Sequence, residues 1–126
     1  PTLEEHHNAI LLVDDEPEIL KLMLSILEKN GFSVLSTQDP IESLELGSRY
    51  RNDIALLMTD IKMPGMNGIE LSNKLLHENP NLKTLFMSGY SDWSINMAGE
   101  NKRLANFVQK PFKLSTLLDA VNKAMV

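Results

Sequence analysis

The sequence contains no cysteine. That excludes a disulfide framework and a thiolate metal site, and it fits the reducing interior expected of a cytoplasmic protein. Nor is there an excess of positive charge: 12 lysines and arginines stand against 17 aspartates and glutamates, for a formal charge of −5. Direct nucleic-acid binding, which draws its affinity from a lysine and arginine footprint, is therefore disfavoured. A basic amphipathic stripe suited to a membrane surface is missing too. No apolar run approaches the roughly 20 residues that a spanning helix needs. The polar stretch Pro1 to Asn8 lacks the apolar core of a signal peptide. His6, His7 and His77 do not form a spaced metal set, and the seven methionines read as core gap-fillers rather than a cofactor box. With no internal repeat, low-complexity tract or linker, the 126 residues, 43% of them hydrophobic, read as one domain spanning 1–126.

What is present is an alternation of five short apolar runs with five helix-like stretches. The strand candidates are Ala9 to Val13, Ser33 to Thr37, Ile54 to Thr59, Thr84 to Met87 and Ala105 to Gln109. The first, third and fourth are nearly continuous apolar runs, as strands covered on both faces should be. Pro17 suits the first turn of a helix whose stripe is Ile19, Leu20, Met23, Leu24 and Leu27, and Asn30-Gly31 should end it, with Gly31 as a left-handed cap. A second helix is expected behind Asp39-Pro40, carrying the apolar Ile41 and Leu44, and a third behind Asn67-Gly68 with Ile69, Leu71, Leu75 and Leu76. A fourth, weaker one is expected from Ser91 to about Gly99, the most mobile segment; the last carries Leu114, Leu117, Leu118 and Val121. Helices between successive strands imply right-handed crossovers, hence a doubly wound α/β architecture with a parallel sheet.

In such a sheet the carboxyl ends of the strands share one edge, and a ligand site forms there. Asp14-Asp15 follow the first run, Asp60 the third, Ser88-Gly89 the fourth and Lys110 the fifth. Three carboxylates brought that close repel one another, so a hard cation with oxygen ligands is the natural partner, and Mg2+ suits a site that must also accept phosphate oxygens. Asp60 opens the stretch Asp60-Ile61-Lys62-Met63-Pro64-Gly65-Met66-Asn67-Gly68, whose Pro-Gly and Asn-Gly pairs supply turns. A carboxylate held there can attack phosphorus and form an acyl phosphate. The Ser88 hydroxyl and the Lys110 ammonium can bind phosphoryl oxygens. The plainer alternative is that Asp14 and Asp15 cap the following helix, and that Asp60, Ser88 and Lys110 are ordinary loop residues.

Leu12-Val13-Asp14-Asp15-Glu16, the Asp60 to Gly68 stretch, Ser88-Gly89 and Lys110-Pro111-Phe112 stand in the order and at the spacings of a known family. Over Ile10 to about Met125 the chain resembles the receiver domains of two-component response regulators, such as the chemotaxis regulator. The resemblance implies a flavodoxin-like (βα)5 fold with strand order 2-1-3-4-5 and makes Asp60 the phosphoacceptor. It also implies that Asp15 ligates Mg2+ directly, that Asp14 acts largely through water, and that the backbone carbonyl of Lys62 is a further ligand. Ser88 and Lys110 would bind the phosphoryl group. Phe107 sits where the family has its aromatic switch residue, so that phosphorylation would reshape the face made by the fourth helix, fifth strand and fifth helix. The implied partners are a sensor histidine kinase or phosphotransfer protein, a fused output or kinase domain, and a second copy through that same face. Such a domain catalyses its own phosphorylation and dephosphorylation and acts as a switch rather than a turnover enzyme.

Ser88 replaces the family's commoner threonine but keeps the donor. Lys62 and Tyr90, each two residues past a site residue, occupy positions that in the family influence loss of the phosphoryl group, and a bulky Tyr90 would shield it from water. The run Ser88-Gly89-Tyr90-Ser91-Asp92 resembles receivers of hybrid sensor kinases. Three rivals share parts of the pattern. A phosphatase of the haloacid dehalogenase type would place an acid at position 62, where this chain has Lys62. A flavin-binding module would offer Ser, Thr and Gly to a phosphate where Asp14-Asp15-Glu16 repel one. A module signalling by contact alone has no use for the full set of acids, Ser88 and Lys110.

Overall fold

Ala9-Ile10-Leu11-Leu12-Val13 offers water nothing on either side, and in the computed structural model it forms an interior strand, β1, with all five residues fully buried. The structure describes residues 8–89, 107–110 and 112–125. Strands β2 (Val34–Thr37), β3 (Ile54–Asp60), β4 (Lys83–Ser88) and β5 (Phe107–Gln109) join β1 in one sheet of order β2-β1-β3-β4-β5. Every neighbouring pair is parallel. The expected strand order therefore holds. β3 runs one residue further than its apolar run suggests and β4 one further at each end, because Lys83 pairs with Leu56, Asp60 with Met87 and Ser88 with Gln109. Conversely, β2 begins at Val34 rather than Ser33.

Helices α1 (Pro17–Lys29), α2 (Pro40–Arg49) and α3 (Gly68–Glu78) fill the first three crossovers, and a last helix, Leu114–Met125, follows β5. Strand alternation sorts them onto two faces. Ile10 and Leu12 pack with Leu20, Met23 and Leu27 of α1 and with Leu117 and Val121 of the last helix. Ala9, Leu11 and Val13 pack with Leu71 and Leu75 of α3. The predicted fourth helix, Tyr90, Pro111 and the Ala105-Asn106 start of the fifth strand lie outside the described residues.

Local chemistry fixes the helix ends. Pro17 and Pro40 occupy first turns, where their missing N–H costs nothing. Asp39 caps α2 by accepting from the Ile41 N–H at 2.9 Å. Asn67 and Glu70 form a reciprocal capping box on α3. α1 closes on Gly31, at φ +90°, with Gly31 N–H donating to the Glu28 carbonyl and Phe32 N–H to that of Leu27. This is the left-handed cap that Asn30-Gly31 suggested.

Of the two apolar positions read on the second helix, Leu44 packs with the core and Ile41 does not. Ile41 of α2 is 59% exposed, while Pro40, Ser43 and Gly47 are the buried residues of that helix. Leu44 and Leu46 pack, half-buried, with the cluster that holds Leu71 and Leu75 of α3, and a Cβ at Gly47 would collide with Leu75. Gly68 is constrained in the same manner: a Cβ there would collide with the Asp60 carbonyl oxygen and lie 3.0 Å from Thr59 Cγ2. The Gly68 N–H meanwhile donates to the Ile61 carbonyl at 2.8 Å. Because the obstacle is backbone, Gly68→Ala is expected to cost about 1–3 kcal/mol of stability. Urea denaturation measures it, and an unchanged midpoint would show that the β3–α3 turn yields freely.

Candidate functional site

Continuing the alternation of each strand places three charged groups on one side of the sheet. Asp14 follows Ile10 and Leu12, Asp60 follows Leu56 and Met58, and Lys110 follows Val108, all residues of the core on the α1 face. Asp14 is fully buried and Asp60 only 7% exposed. Lys110 Nζ donates to Asp14 Oδ2 at 2.8 Å, to Asp60 Oδ2 at 3.3 Å and to Glu16 Oε1 at 3.4 Å. Carboxylate oxygens of Asp14, Asp15 and Asp60 all lie within 4.8 Å of one another. Residues from β1, β3 and the end of β5, separated by up to 96 positions, thus meet at the predicted edge.

Electrostatics follow from this geometry. Burial is the largest influence on Asp60 and drives its pKa from 3.8 up to about 6; the ammonium of Lys110 opposes the rise, while the charges of Asp14 and Asp15 add to it. For Lys110, burial alone would lower the pKa, but the hydrogen bond and charge of Asp14, joined by Asp60, outweigh it and hold the value above 10.5. A carboxylate so reluctant to ionise beside two others is what a divalent cation relieves. The donor set is all oxygen, which suits Mg2+ rather than a soft metal.

The bland reading of Asp14 and Asp15 as helix caps does not fit, because the N-cap of α1 is Glu16 and it makes no side-chain cap. Asp14 does hold the turn, accepting from the Glu16 N–H at 2.9 Å. Lys62 is exposed and borders a cleft of about 1070 Å3 shared with Asp15, Glu16, Asp60, Gly89 and Lys110. Ser88, 1% exposed, and Phe107 lie on the opposite side of the sheet from Asp60. Ser88 continues the Thr84 and Phe86 alternation, Thr84 Oγ1 is 2.9 Å from Ser72 Oγ of α3, and Phe107 pairs with Phe86. Phe107 packs, half-buried, with Ile61, Phe86 and Ile69. The Lys110 N–H donates to the Ser88 carbonyl at 2.8 Å, joining the two sides through backbone.

Two features escaped sequence reasoning. Glu16, read only as part of a motif, reaches Lys110. The far wall of the cleft is apolar, made by Ile19, Leu22, Met23 and Phe112. Leu22, at 56% exposure, was the available signal for the latter, since it breaks the polar face of α1.

Residues 10–122 match the family model described as the response regulator receiver domain. The response regulator receiver protein CpdR of Brucella abortus is 31% identical over 117 residues, 93% of this chain and 96% of that protein. Among solved structures, a response regulator receiver domain protein from Clostridium thermocellum superposes with a TM-score of 0.84 at 26% identity, over 94% of each chain. The receiver domain of the hybrid histidine kinase CckA gives a TM-score of 0.78 at 26% identity, covering 94% of this chain and all of that one.

Proposed function

This chain belongs to the response regulator receiver domain family, and from that premise we propose that Asp60 accepts a phosphoryl group from the phosphohistidine of a sensor kinase or phosphotransfer protein. The observation that carries the reading is the Lys110 ammonium within hydrogen-bonding reach of both Asp14 and Asp60, inside a cluster of three carboxylates. An Asp60 carboxylate oxygen forms the new P–O bond. The P–N bond breaks, and its electron pair stays with the imidazole, which leaves neutral when its other nitrogen carries a proton. Asp15, Asp60 and the Lys62 carbonyl would hold a bound Mg2+, with Asp14 acting largely through water, and the ion would offset charge on the phosphoryl oxygens. Lys110 offsets the rest, so positioning and electrostatics supply most of the catalysis.

Once phosphorylated, Asp60 presents oxygens to the Ser88 hydroxyl. Drawing that hydroxyl inward vacates space into which Phe107 turns, and the face comprising the predicted fourth helix, β5 and the last helix changes shape. The phosphoryl group biases the two states only by its differential contacts. The domain is a signalling switch that also removes its own phosphate, not a turnover enzyme. It works in the cytoplasm on protein partners, alone or fused to a kinase or output domain, and pairs with a second copy through the switched face. In support, no described helix is long and apolar enough to cross a membrane.

Incubation with acetyl phosphate and Mg2+, followed by intact mass, tests the assignment. Wild type is expected to gain one phosphoryl group, and Asp60→Asn none. Equal uptake by the variant would move the acceptor elsewhere; no uptake by wild type, together with no beryllofluoride binding, would leave signalling by contact alone.

A further inference from the structure

Glu16 breaks a local rule. It stands at the N-cap of α1, where short side chains are favoured because they reach back to the helix amides, yet it makes no capping hydrogen bond. Its carboxylate turns to Lys110 Nζ instead, 94 residues away in sequence and 3.4 Å away in space. A lysine ammonium has three N–H donors, and here Asp14, Asp60 and Glu16 receive them. A phosphoryl oxygen on Asp60 can therefore recruit Lys110 only by displacing one of these acceptors.

The three are not equal. Asp14 is fully buried and makes the shortest contact, and Asp60 is the acceptor itself, 10% exposed at its side chain. Glu16 has the longest contact and a side chain 60% exposed, so water can take over its solvation when it lets go. It also borders the cleft through which a donor reaches Asp60. Resting on the receiver reading above, we propose that Glu16 is a positioning residue that restrains the Lys110 ammonium and thereby limits phosphorylation of Asp60 by small anionic donors. Its negative charge acts in the same direction, repelling a phosphate ester or acyl phosphate at the mouth of the cleft. With acetyl phosphate, the Asp60 oxygen forms a P–O bond to phosphorus, the P–O bond to the acetyl group breaks, and acetate leaves with that pair; no proton moves.

The test compares wild type, Glu16→Gln and Glu16→Asp with acetyl phosphate at saturating Mg2+, following intact mass with time at ionic strengths from about 0.02 to 0.5 M. Glu16→Gln is expected to acquire its phosphoryl group about three to ten times faster at low salt, and the advantage to shrink as salt screens the charge. Glu16→Asp keeps the charge but loses the reach to Lys110, so it should fall between the two. A merely structural role would move the urea midpoint and leave the salt dependence unchanged. Equal rates, or a slower Glu16→Gln, overturn the role of Glu16 while leaving Asp60 as acceptor. No phosphoryl gain in wild type overturns the receiver reading and this inference with it.

Discussion

Lys110→Met is expected to lower the stability of the magnesium-free protein by about 2–4 kcal/mol, because it keeps the length of the side chain and removes the cation that three carboxylates share. Asp14 has no solvent to fall back on, being fully buried, and Lys110 is its closest charged partner among the described contacts, at 2.8 Å. A second cation should repair much of the damage, since a ligand that binds only the folded state stabilises it by mass action. Urea denaturation of both proteins, with chelator and then with millimolar Mg2+, measures the effect. A loss of the same size in both conditions would mean that Lys110 supports the fold by packing alone. In the phosphorylation assay the same variant is expected to be slower by at least about tenfold, the usual scale for removing a group that stabilises developing charge.

Asp60→Asn should act in the opposite direction, making the magnesium-free protein more stable by about 2 kcal/mol near pH 7. Burial is the leading reason that the Asp60 carboxyl titrates at about 6 rather than 3.8. Between those two values the folded state binds more protons than the unfolded one. The stabilisation associated with a neutral Asp60 is complete below pH 3.8 and is lost as pH rises through about 6. The amide of the variant cannot ionise, so the difference between the two stability profiles should grow across that window and level off above it. Bound Mg2+ should shrink the difference by favouring the charged carboxylate. A constant difference from acid to neutral pH would show that Asp60 carries no such burden.

The residues behind these two effects were legible to different degrees. β1 and β3 could be read from sequence because a strand covered on both faces is apolar throughout, and their ends therefore pointed to Asp14 and Asp60. α3 could be placed because the turn pair Asn67-Gly68 precedes Ile69, Leu71, Leu75 and Leu76 at helical spacing, and the reciprocal Asn67–Glu70 cap became visible only in the structure. Ile41 misled because α2 buries Ser43 and Gly47 alongside Leu44 and Leu46, and a buried serine or glycine leaves no hydrophobic signal. Gly68 looked like a turn glycine, yet what demands it is the Asp60 carbonyl, visible only when the loop has folded back. Glu16 was hidden for a similar reason. Nothing local distinguishes a glutamate that faces water from one that faces a lysine 94 residues later.

The described part of β5, Phe107–Gln109, lies at the edge of the sheet with Gln109 exposed, whereas β1 and β3 lie inside it and are almost wholly buried. Short edge strands open by local fraying at low free energy, while interior strands open only when the whole domain does. The acidic floor of the site is therefore carried by interior strands, and its ammonium by the edge of the sheet. Any shift of that edge moves the ammonium relative to the carboxylates, and buried Asp14 then depends on an external cation for its partner.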